Sequence, residues 1–271
     1  MAALPITFLS DYGYADEFAG VCRAVIGRIA PDAAVIDLTH GISRHAVEEG
    51  AAVLASALPF APPGVHLAVI DPEVGASRRA VAVRVGAEDR LVVGPDNGLL
   101  WPAIDRFGGP VDAVDVSLSV FRLEPISATF HGRDVFAPVA AHLARGAELS
   151  EAGEGIDLGS LVRLQPTEAS IAAGRVVAHV VLIDRYGNAT LDLDDGQLPE
   201  TGLKLGRSLV VEIGGSVHEA VFTPTFADVE PGRLILYEDS HRHLALAVNR
   251  GSASELLRLG RGDEVTLRAA E

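Results

Sequence analysis

Two stretches of the sequence carry side chains that could make a small polar molecule reactive. In the first, Asp71 ends an apolar run, and Arg78 follows after a turn that contains proline and glycine. Such a turn brings the arginine back towards the carboxylate, and the pair is either a reactive site or a salt bridge that only closes the turn. In the second, His131 precedes a glycine in a polar loop, where it is a general base, a charged donor, a helix cap or an ordinary surface residue.

Other polar groups stand in turns and offer weaker signals. Asp11 directly follows the first apolar run, and Asn97 lies in a turn where it could line a pocket. Residues 184–188 (Asp-Arg-Tyr-Gly-Asn) suit a β-hairpin turn, because glycine and asparagine tolerate a positive φ. His241 and His243 lie two residues apart on one face of an extended strand, and without a third ligand they do not indicate a metal site.

Several functional classes lose ground because their motifs are missing. The sequence has no G-x-G-x-x-G or Walker glycine loop and no G-x-S-x-G nucleophile elbow, which disfavours dinucleotide oxidoreductases, ATPases and serine hydrolases. Cys22 is the single cysteine, which excludes an internal disulfide and a multi-cysteine metal site and leads us to expect a reducing cytoplasm.

The composition indicates a folded, acidic chain. Of the 271 residues, 48% are hydrophobic, which is enough for one large core or two small ones. The net charge of −15 disfavours binding to nucleic acid, because a chain this acidic repels phosphate backbones. We expect no membrane span, since charged residues or glycine interrupt every apolar run, and no secretory signal at the N-terminus.

The elements that position these residues alternate between strand and helix in the first part of the chain. Apolar runs predict strands, and apolar residues at helical spacing predict helices, in the order strand 6–9, helix 18–29, strand 34–38, helix 48–58 and strand 65–70. Further strands are predicted at 80–85 and 90–93, and a helix at 136–144. This order predicts an α/β domain with a mainly parallel sheet flanked by helices, with ligands beyond the carboxyl ends of the strands.

The second part of the chain is almost entirely β. We predict an α/β N-terminal domain over 1–163, a linker over 164–175, and a smaller, antiparallel, barrel-like β domain over 176–271. Within it, Gly214 and Gly215 separate two apolar runs and predict a two-residue hairpin turn.

The polar stretches also occur as an ordered set. The chain closely resembles the S-adenosyl-L-methionine hydroxide adenosyltransferases, which are related to the fluorinase and the chlorinase. The resemblance extends from about residue 5 to residue 268 and rests on five motifs: Leu9-Ser10-Asp11-Tyr12-Gly13, Asp71-Pro72-x-Val74-Gly75-x-x-Arg78-Arg79, Gly94-Pro95-Asp96-Asn97-Gly98, Thr129-Phe130-His131-Gly132-Arg133-Asp134 and Asp184-x-x-Gly187-Asn188.

The resemblance implies an enzyme that hydrolyses S-adenosyl-L-methionine to adenosine and L-methionine by attack of water or hydroxide at C5′. It implies that Asp71, Arg78 and His131 are the catalytic residues, with Arg78 and His131 polarising one water. It also implies a homotrimer, with each site between the N-terminal domain of one subunit and the C-terminal domain of the next, and neither a metal nor another cofactor.

The resemblance also implies roles in substrate binding. Asp11 matches a carboxylate that holds the ribose hydroxyls, and Asp184 matches the partner of the methionine ammonium. Asn188 matches an amide that contacts adenine, Phe226 a ring that stacks on it, and Ser240 a contact at the amino-acid end.

Two positions leave the family pattern or match it more weakly, whereas Asn97 lies within one of the five motifs. His241 stands where the halogenating relatives have an arginine, so the contact to the substrate carboxylate is open and Arg242 is one substitute. His45 lies near an aromatic position of those relatives, and Asn97 completes the expected substrate-binding set.

Two alternative functions stay open at this point: a halogenase that acts on the same substrate, and a nucleoside- or S-adenosylmethionine-binding protein with vestigial turnover. The halogenases resemble one another in a Tyr/Thr pair that replaces the Asp71 and Arg78 motif. The fluorinase also has an inserted loop for which the short connection 84–90 leaves no room. A carboxylate at the nucleophile site would repel halide, which favours water.

Overall fold

The computed structural model describes residues 3–165 and 167–270, which divide into two units between Leu164 and Gln165. The segment 164–175, predicted as a linker, therefore spans this division. It also contains a short strand, Ser170–Ala172, which belongs to the sheet of the second unit.

The first unit is built on a seven-stranded mixed sheet. Its strands are β1 (Ile6–Ser10), β2 (Val35–Thr39), β3 (Val65–Val69), β4 (Ala80–Val85), β5 (Leu91–Pro95), β6 (Pro110–Asp115) and β7 (Glu154–Gly155). Their order in the sheet is β2-β1-β3-β5-β4-β6-β7. Five of the seven run in one direction, and β4 and β7 run against them. The prediction of a mainly parallel sheet is confirmed.

Helices cover both faces of this sheet. They are α1 (Phe18–Ile29), α2 (Val47–Ala57), α3 (Trp101–Arg106), α4 (Ala137–Ala144) and α5 (Leu149–Ala152). Helices α1 and α4 pack with Ile6 and Phe8 of β1 on one face, and α2 and α3 pack with Leu9 on the other. Strands buried on both faces read as continuous apolar runs, which is why the sequence shows them so clearly.

The strand register sets the position of two of the predicted site residues. Strands β1 and β3 are parallel neighbours, and Ser10 at the end of β1 lies opposite Val69 at the end of β3. Asp11 and Asp71 follow within two residues of these ends, so both leave the same edge of the sheet.

The second unit forms a closed seven-stranded barrel, which confirms the barrel-like prediction. The described part of this unit has eight strands, of which the last seven form the barrel: β8 (Ser170–Ala172), β9 (Arg175–Ile183), β10 (Ala189–Asp194), β11 (Ser208–Ile213), β12 (Ser216–Phe222), β13 (Leu234–Glu238), β14 (His243–Val248) and β15 (Glu264–Ala269). The order is β10-β14-β13-β12-β11-β15-β9, a pairing of β9 with β10 closes the barrel, and β8 lies outside on β9. Two short helices, α6 (Leu198–Thr201) and α7 (Ala253–Leu257), complete the unit.

One pairing corrects the prediction of an antiparallel domain. Strands β12 and β13 run parallel. Residues 223–233 connect them and return the chain to the end of the sheet at which β12 begins, instead of forming a tight hairpin turn. The Gly214–Gly215 turn joins β11 and β12 as predicted, with positive φ at both glycines.

Across the residues that the structure describes, no helix is both long enough and apolar enough to cross a membrane.

Candidate active site

Asp71, Arg78 and His131 form one chain of hydrogen bonds. Arg78 donates from Nε to Oδ1 of Asp71 over 2.8 Å and from Nη2 to Oδ2, so the two side chains form a bidentate ion pair. The same Nη2 lies 2.9 Å from Nδ1 of His131. The ion pair is buried, with side-chain exposures of 5% for Arg78 and 7% for Asp71. The guanidinium also lies over the ring of the buried Phe136, 5.2 Å from its centre.

This geometry defines the protonation of His131. A guanidinium has only donors, so Nδ1 of His131 must accept, and the proton of the neutral ring is on Nε2. Burial, and then the charge of Arg78, lower the pKa of His131 below its usual value, against the opposing charges of Asp71 and Asp134. At neutral pH the ring is therefore uncharged, and its remaining nitrogen is a hydrogen-bond donor.

Gly75 explains how the turn after Asp71 meets the loop before His131. Its φ of +80° is a conformation that L side chains rarely adopt, and a Cβ there would lie 2.5 Å from the carbonyl oxygen of Ala128. The glycine thus lets the turn approach the second loop closely. That contact brings Arg78 within reach of His131.

Asp134 fixes the loop that carries His131. Its carboxylate accepts hydrogen bonds from the Ser127 backbone N–H at 2.8 Å and from the Arg133 guanidinium at 2.6 and 2.8 Å. Burial raises the pKa of Asp134, but these hydrogen bonds outweigh it and lower the pKa overall. The loop then continues as a π-helical turn, Gly132–Phe136, directly into α4.

A cavity of about 250 Å³ lies over this cluster within the first unit. Three carboxylates line it: Asp71 is paired with Arg78, and Asp11 and Asp16 face a single lining arginine, Arg44, an excess of negative charge that favours a cationic ligand. The lining residues are Asp11, Tyr12, Asp16, Phe18, Arg44, His45, Asp71, Val74, Thr129, His131 and Gly132.

Tyr12 also lines the cavity, although its residue type alone does not predict a role there. Burial first, and then nearby carboxylates and the Cys22 thiol, raise the pKa of this phenol well above its usual value, so it stays neutral. A Cβ added to Gly132 would lie 2.0 Å from the Tyr12 hydroxyl, so the tyrosine fits only because position 132 is glycine. The position of Tyr12 between Asp11 and Gly13 in the first motif is the available signal.

Asp11 and His45 meet at the wall of the cavity. The backbone N–H of His45 donates to Oδ2 of Asp11 over 2.9 Å, and His45 has a φ of +63°. This strained backbone points a donor at one carboxylate oxygen and so fixes its direction.

Asn97, predicted to line a pocket, is not among the residues that line this cavity. Its amide nitrogen donates to the Ile70 carbonyl over 2.9 Å, and its amide oxygen accepts from the Leu99 N–H over 3.2 Å. The side chain therefore supports the strand end that precedes Asp71.

The structure also separates the two adjacent arginines. Whereas Arg78 pairs with Asp71, Arg79 pairs with Asp96 and donates to the Ser160 hydroxyl over 2.9 Å. Oδ1 of Asp96 accepts from the Val162 N–H over 2.9 Å. This second ion pair holds a surface segment and lies outside the cavity lining.

In the second unit, Asp184 and Asn188 stand together in the β9–β10 turn. Oδ2 of Asp184 accepts from the Asn188 side-chain amide over 2.8 Å, and Oδ1 accepts from two backbone N–H groups of the turn. The ring of Phe226 lies 5.1 Å from that of Tyr237, and the Ser240 hydroxyl lies 3.4 Å from Nδ1 of His241.

Tyr237 lies among these second-unit residues: its ring contacts that of Phe226, and its phenol lies near enough to Asp184 and Asp239 to be affected by their charges. Burial, followed by the charges of Asp184 and Asp239, raises the pKa of Tyr237 to about 12. The Asp239 carboxylate in turn accepts from the N–H groups of His241 and His243 and so shapes the hairpin after Ser240. The sequence of β13 shows no alternation of apolar and polar residues, so it does not predict that Tyr237 lies near Asp184 and Asp239.

Arg242, the substitute considered for a carboxylate contact, pairs with Asp195 over 3.0 Å. Cys22 is buried, and burial raises the pKa of its thiol to about 12, so it has no character of a nucleophile. Among residues 3–165 and 167–270, no three His, Cys, Asp or Glu side chains converge as metal ligands.

Comparisons with known proteins identify relatives of both units. A family model described as the SAM hydroxide adenosyltransferase N-terminal domain matches residues 6–153, and one described as the C-terminal domain matches residues 178–266. A protein of Salinispora tropica named (R)-S-adenosyl-L-methionine hydrolase is 45% identical over 99% of this chain and 100% of its own.

More distant relatives include a Nocardia brasiliensis protein named fluorinase, which is 28% identical over 97% of this chain and 96% of its own. The crystal structure of an uncharacterized conserved protein from Thermotoga maritima superposes with a TM-score of 0.91 at 33% identity, covering 97% of this chain and 99% of that one.

Proposed function

The chain belongs to the SAM hydroxide adenosyltransferase family, and from this premise we propose that it hydrolyses S-adenosyl-L-methionine to adenosine and L-methionine. The observation that carries the proposal is the buried Asp71–Arg78–His131 chain at the wall of an acidic cavity. Relatives of nearly equal length are named for this hydrolysis, whereas the proteins named fluorinase are less similar.

In the proposed reaction, a water oxygen forms a bond to C5′ while the C5′–S bond breaks. The bonding electrons go to sulfur, which leaves as the neutral thioether of methionine and needs no acid. Water is a poor nucleophile, so the site must hold it in line with the C5′–S bond. The site must also stabilise the positive charge that develops on the water oxygen as it attacks.

The tautomer of His131 determines which hydrogen bonds the side chains can make to this water. Nε2–H of His131 donates to the water oxygen, and Asp71, the carboxylate of the cluster in the cavity wall, accepts a hydrogen from the same water. A water bound by both has one lone pair directed at C5′. Because the attacking oxygen becomes strongly acidic as the C–O bond forms, a weak base such as the paired Asp71 carboxylate is sufficient to take the proton.

Arg78 acts through the other two side chains. Its bidentate contact fixes the Asp71 carboxylate plane, and its donation to Nδ1 keeps the proton of His131 on Nε2. We assign to Arg78 the positioning of both groups that hold the water.

The acidic cavity suits the substrate, whose sulfonium and ammonium are both cationic. We propose that Asp11, its direction fixed by the His45 N–H, accepts from the ribose hydroxyls. The cavity of about 250 Å³ is smaller than the ~300–1,000 Å³ usual for ligand pockets, so further groups must complete the site.

We propose that Asp184, Asn188, Phe226 and Ser240 supply these groups, and that they come from a neighbouring subunit of a homotrimer. In this scheme Asp184 binds the ammonium, Asn188 and Phe226 the adenine, and Ser240 the amino-acid end. Sedimentation equilibrium tests the assembly, and mixed trimers of Asp71→Asn and Asp184→Asn subunits test the shared site. Such mixtures regain activity if each site uses two subunits, and stay inactive if it uses one.

Isotope labelling tests the reaction itself. Purified protein with S-adenosyl-L-methionine in ¹⁸O-water should give adenosine that carries ¹⁸O on C5′, as read by mass spectrometry. Unlabelled adenosine would contradict attack by water at C5′, and tight adenosine retention without turnover would support the binding-protein alternative. The (R) and (S) sulfonium epimers belong in the same assay, because the Salinispora relative is named for the (R) form.

A halogenase is disfavoured by the carboxylate of Asp71 in the cavity wall, because this oxygen acceptor can bind a water that donates a hydrogen but offers nothing to a halide, which has no hydrogen to donate. Molar chloride should therefore give no 5′-chloro-5′-deoxyadenosine. We propose that the reaction needs no metal or cofactor, and treatment with EDTA should leave the rate unchanged. The cytoplasmic location stays a prediction, which cell fractionation would test.

A further inference from the structure

A buried histidine outside the cavity lining holds the loop that carries Asp11. His40 directly follows β2 and is 1% exposed. Nδ1 of its ring lies 2.8 Å from the hydroxyl of Ser10, the last residue of the neighbouring strand β1. Ser10 is itself fully buried, so this contact lies between two side chains that are both shielded from water.

The hydrogen bonds around this contact define its direction. The Ser10 hydroxyl oxygen accepts from the Tyr12 backbone N–H over 3.3 Å and can still either donate to or accept from Nδ1 of His40. Nε2 of His40 lies 3.3 Å from Oδ1 of Asp37, a carboxylate that has no hydrogen to give, so the proton of the neutral ring is on Nε2 and Nδ1 accepts from the Ser10 hydroxyl. The contact between Nε2 and Oδ1 is close enough for electrostatic attraction but is not aligned as a hydrogen bond, and neither atom has another partner among the described residues.

His40 also grips the far side of the same loop. Its carbonyl accepts from the Gly13 N–H over 2.7 Å, and its N–H donates to the Tyr14 hydroxyl over 3.2 Å. Its ring packs edge-on against Phe8 at 4.6 Å and Tyr14 at 5.4 Å.

Asp11 is the residue of the 10–14 loop that these contacts pass by. Its carboxylate is held instead by the His45 N–H and lines the cavity. We propose that His40 is a positioning residue for Asp11: it fixes the loop on both sides of the carboxylate and so sets where the ribose hydroxyls are bound. The inference rests on the proposed function, because it assumes that Asp11 binds ribose.

Asp37 anchors His40 from the other side. Its Oδ2 accepts from Arg23 of α1 over 2.8 Å, while Oδ1 faces the histidine ring. Burial lowers the pKa of His40 and outweighs the nearby carboxylate of Asp37, which acts to raise it. The ring is therefore neutral, as its tautomer requires.

The test compares how tightly adenosine and 2′-deoxyadenosine bind, measured by calorimetry on the whole protein. A hydrogen bond from the 2′-hydroxyl to a fixed carboxylate should give the wild type a preference of about 10- to 100-fold for adenosine. His40→Leu removes the bond to Ser10 but keeps the backbone bonds to Gly13 and Tyr14, so it should lower this ratio at least about threefold, and His40→Asn, whose amide can bond to Ser10 from the place of Nδ1, should restore most of it.

Two further variants keep the test decisive. Ser10→Ala removes the side-chain link and leaves the ring in place, so it should lower the ratio even if His40→Leu does not fold. His66→Leu is the matched control, because His66 is also 1% exposed but bonds Thr7 and Arg90, both outside the cavity lining. It should lower stability and leave the ratio unchanged.

The outcomes separate the two levels of the proposal. A ratio that falls in Asp11→Asn but survives in folded His40→Leu and in Ser10→Ala overturns the role of His40 alone. Equal binding of both nucleosides by the wild type overturns the ribose role of Asp11 together with the inference.

Discussion

Replacing Asp71 by asparagine should separate the chemistry of the site from its stability. The amide retains one acceptor for Nε of Arg78 but turns a donor towards Nη2, which still carries its charge. Removing one partner of a buried pair costs about 3–5 kcal/mol, and the bond that survives should reduce this to about 2–3 kcal/mol. For a chain of this size the melting temperature should fall by roughly 5–10 °C.

The effect on turnover should be larger. Asp71→Asn removes the proton acceptor and loosens the group that orients His131, so kcat should fall by about 10²–10⁴-fold. That range corresponds to about 3–5 kcal/mol of transition-state stabilisation. Initial rates of adenosine formation, measured by chromatography at saturating substrate and well below the melting temperature, give the number.

Asp96→Asn is the matched control. It breaks the neighbouring ion pair with Arg79, whose carboxylate is also buried at 4% exposure, but it does so outside the cavity lining. This variant should lose stability to a similar extent, about 1–3 kcal/mol, and keep kcat within about threefold of the wild type. Equal losses of kcat in the two variants, or a kcat for Asp71→Asn within tenfold of the wild type, would refute the reasoning.

Three other perturbations test separate parts of the account. Acidification should abolish activity with a midpoint below pH 6.5, because protonated His131 cannot accept a hydrogen bond from Arg78. A plot of kcat/KM against pH measures this loss on the acid side. A midpoint above pH 6.5 would contradict the lowered pKa of His131. Gly75→Ala should lower kcat at least about tenfold and stability by about 1–3 kcal/mol, since it combines a positive φ with a clash at Ala128; rates and urea unfolding measure both, and an unchanged rate would show that the turn does not set the site. The unfolding free energy should fall by a few kcal/mol as the pH drops from 6.5 towards 3, because burial lowers the pKa of His66 in the folded protein to about 3. The unfolded chain, in which the His66 pKa is about 6.5, takes up a proton over this range before the folded protein does, so stability is lost as the pH falls. His66→Gln should flatten this dependence in urea titrations, and a dependence that persists would assign it to other groups.

The strands and helices with a strong apolar period could be predicted from the sequence. Helix α1 and strand β4 have the predicted bounds, because their buried faces give an uninterrupted signal. Helix α3 and strand β6 were missed. Both are six residues long and carry a proline at or near their start, so neither shows enough period to be recognised. The parallel pairing of β12 with β13 depends on a long connection whose path no local pattern encodes.

For the candidate site, the meeting of Asp71 with Arg78 could be predicted from the short turn between them. The contact of Arg78 with His131 could not, because 53 residues separate the two and only the packing of the turn against the second loop brings them together. Tyr12, Tyr237 and His40 were missed for a related reason. Their importance comes from contacts across the sheet or barrel, not from their neighbours in sequence.

A crystal structure of the protein with adenosine would test the central claim most directly. The 5′-oxygen of this product is the oxygen of the attacking water, so its position reports where the water was held. We predict that it lies within about 3.2 Å of both Nε2 of His131 and a carboxylate oxygen of Asp71. A 5′-oxygen more than about 5 Å from either group would contradict the assignment of these side chains to the reacting water.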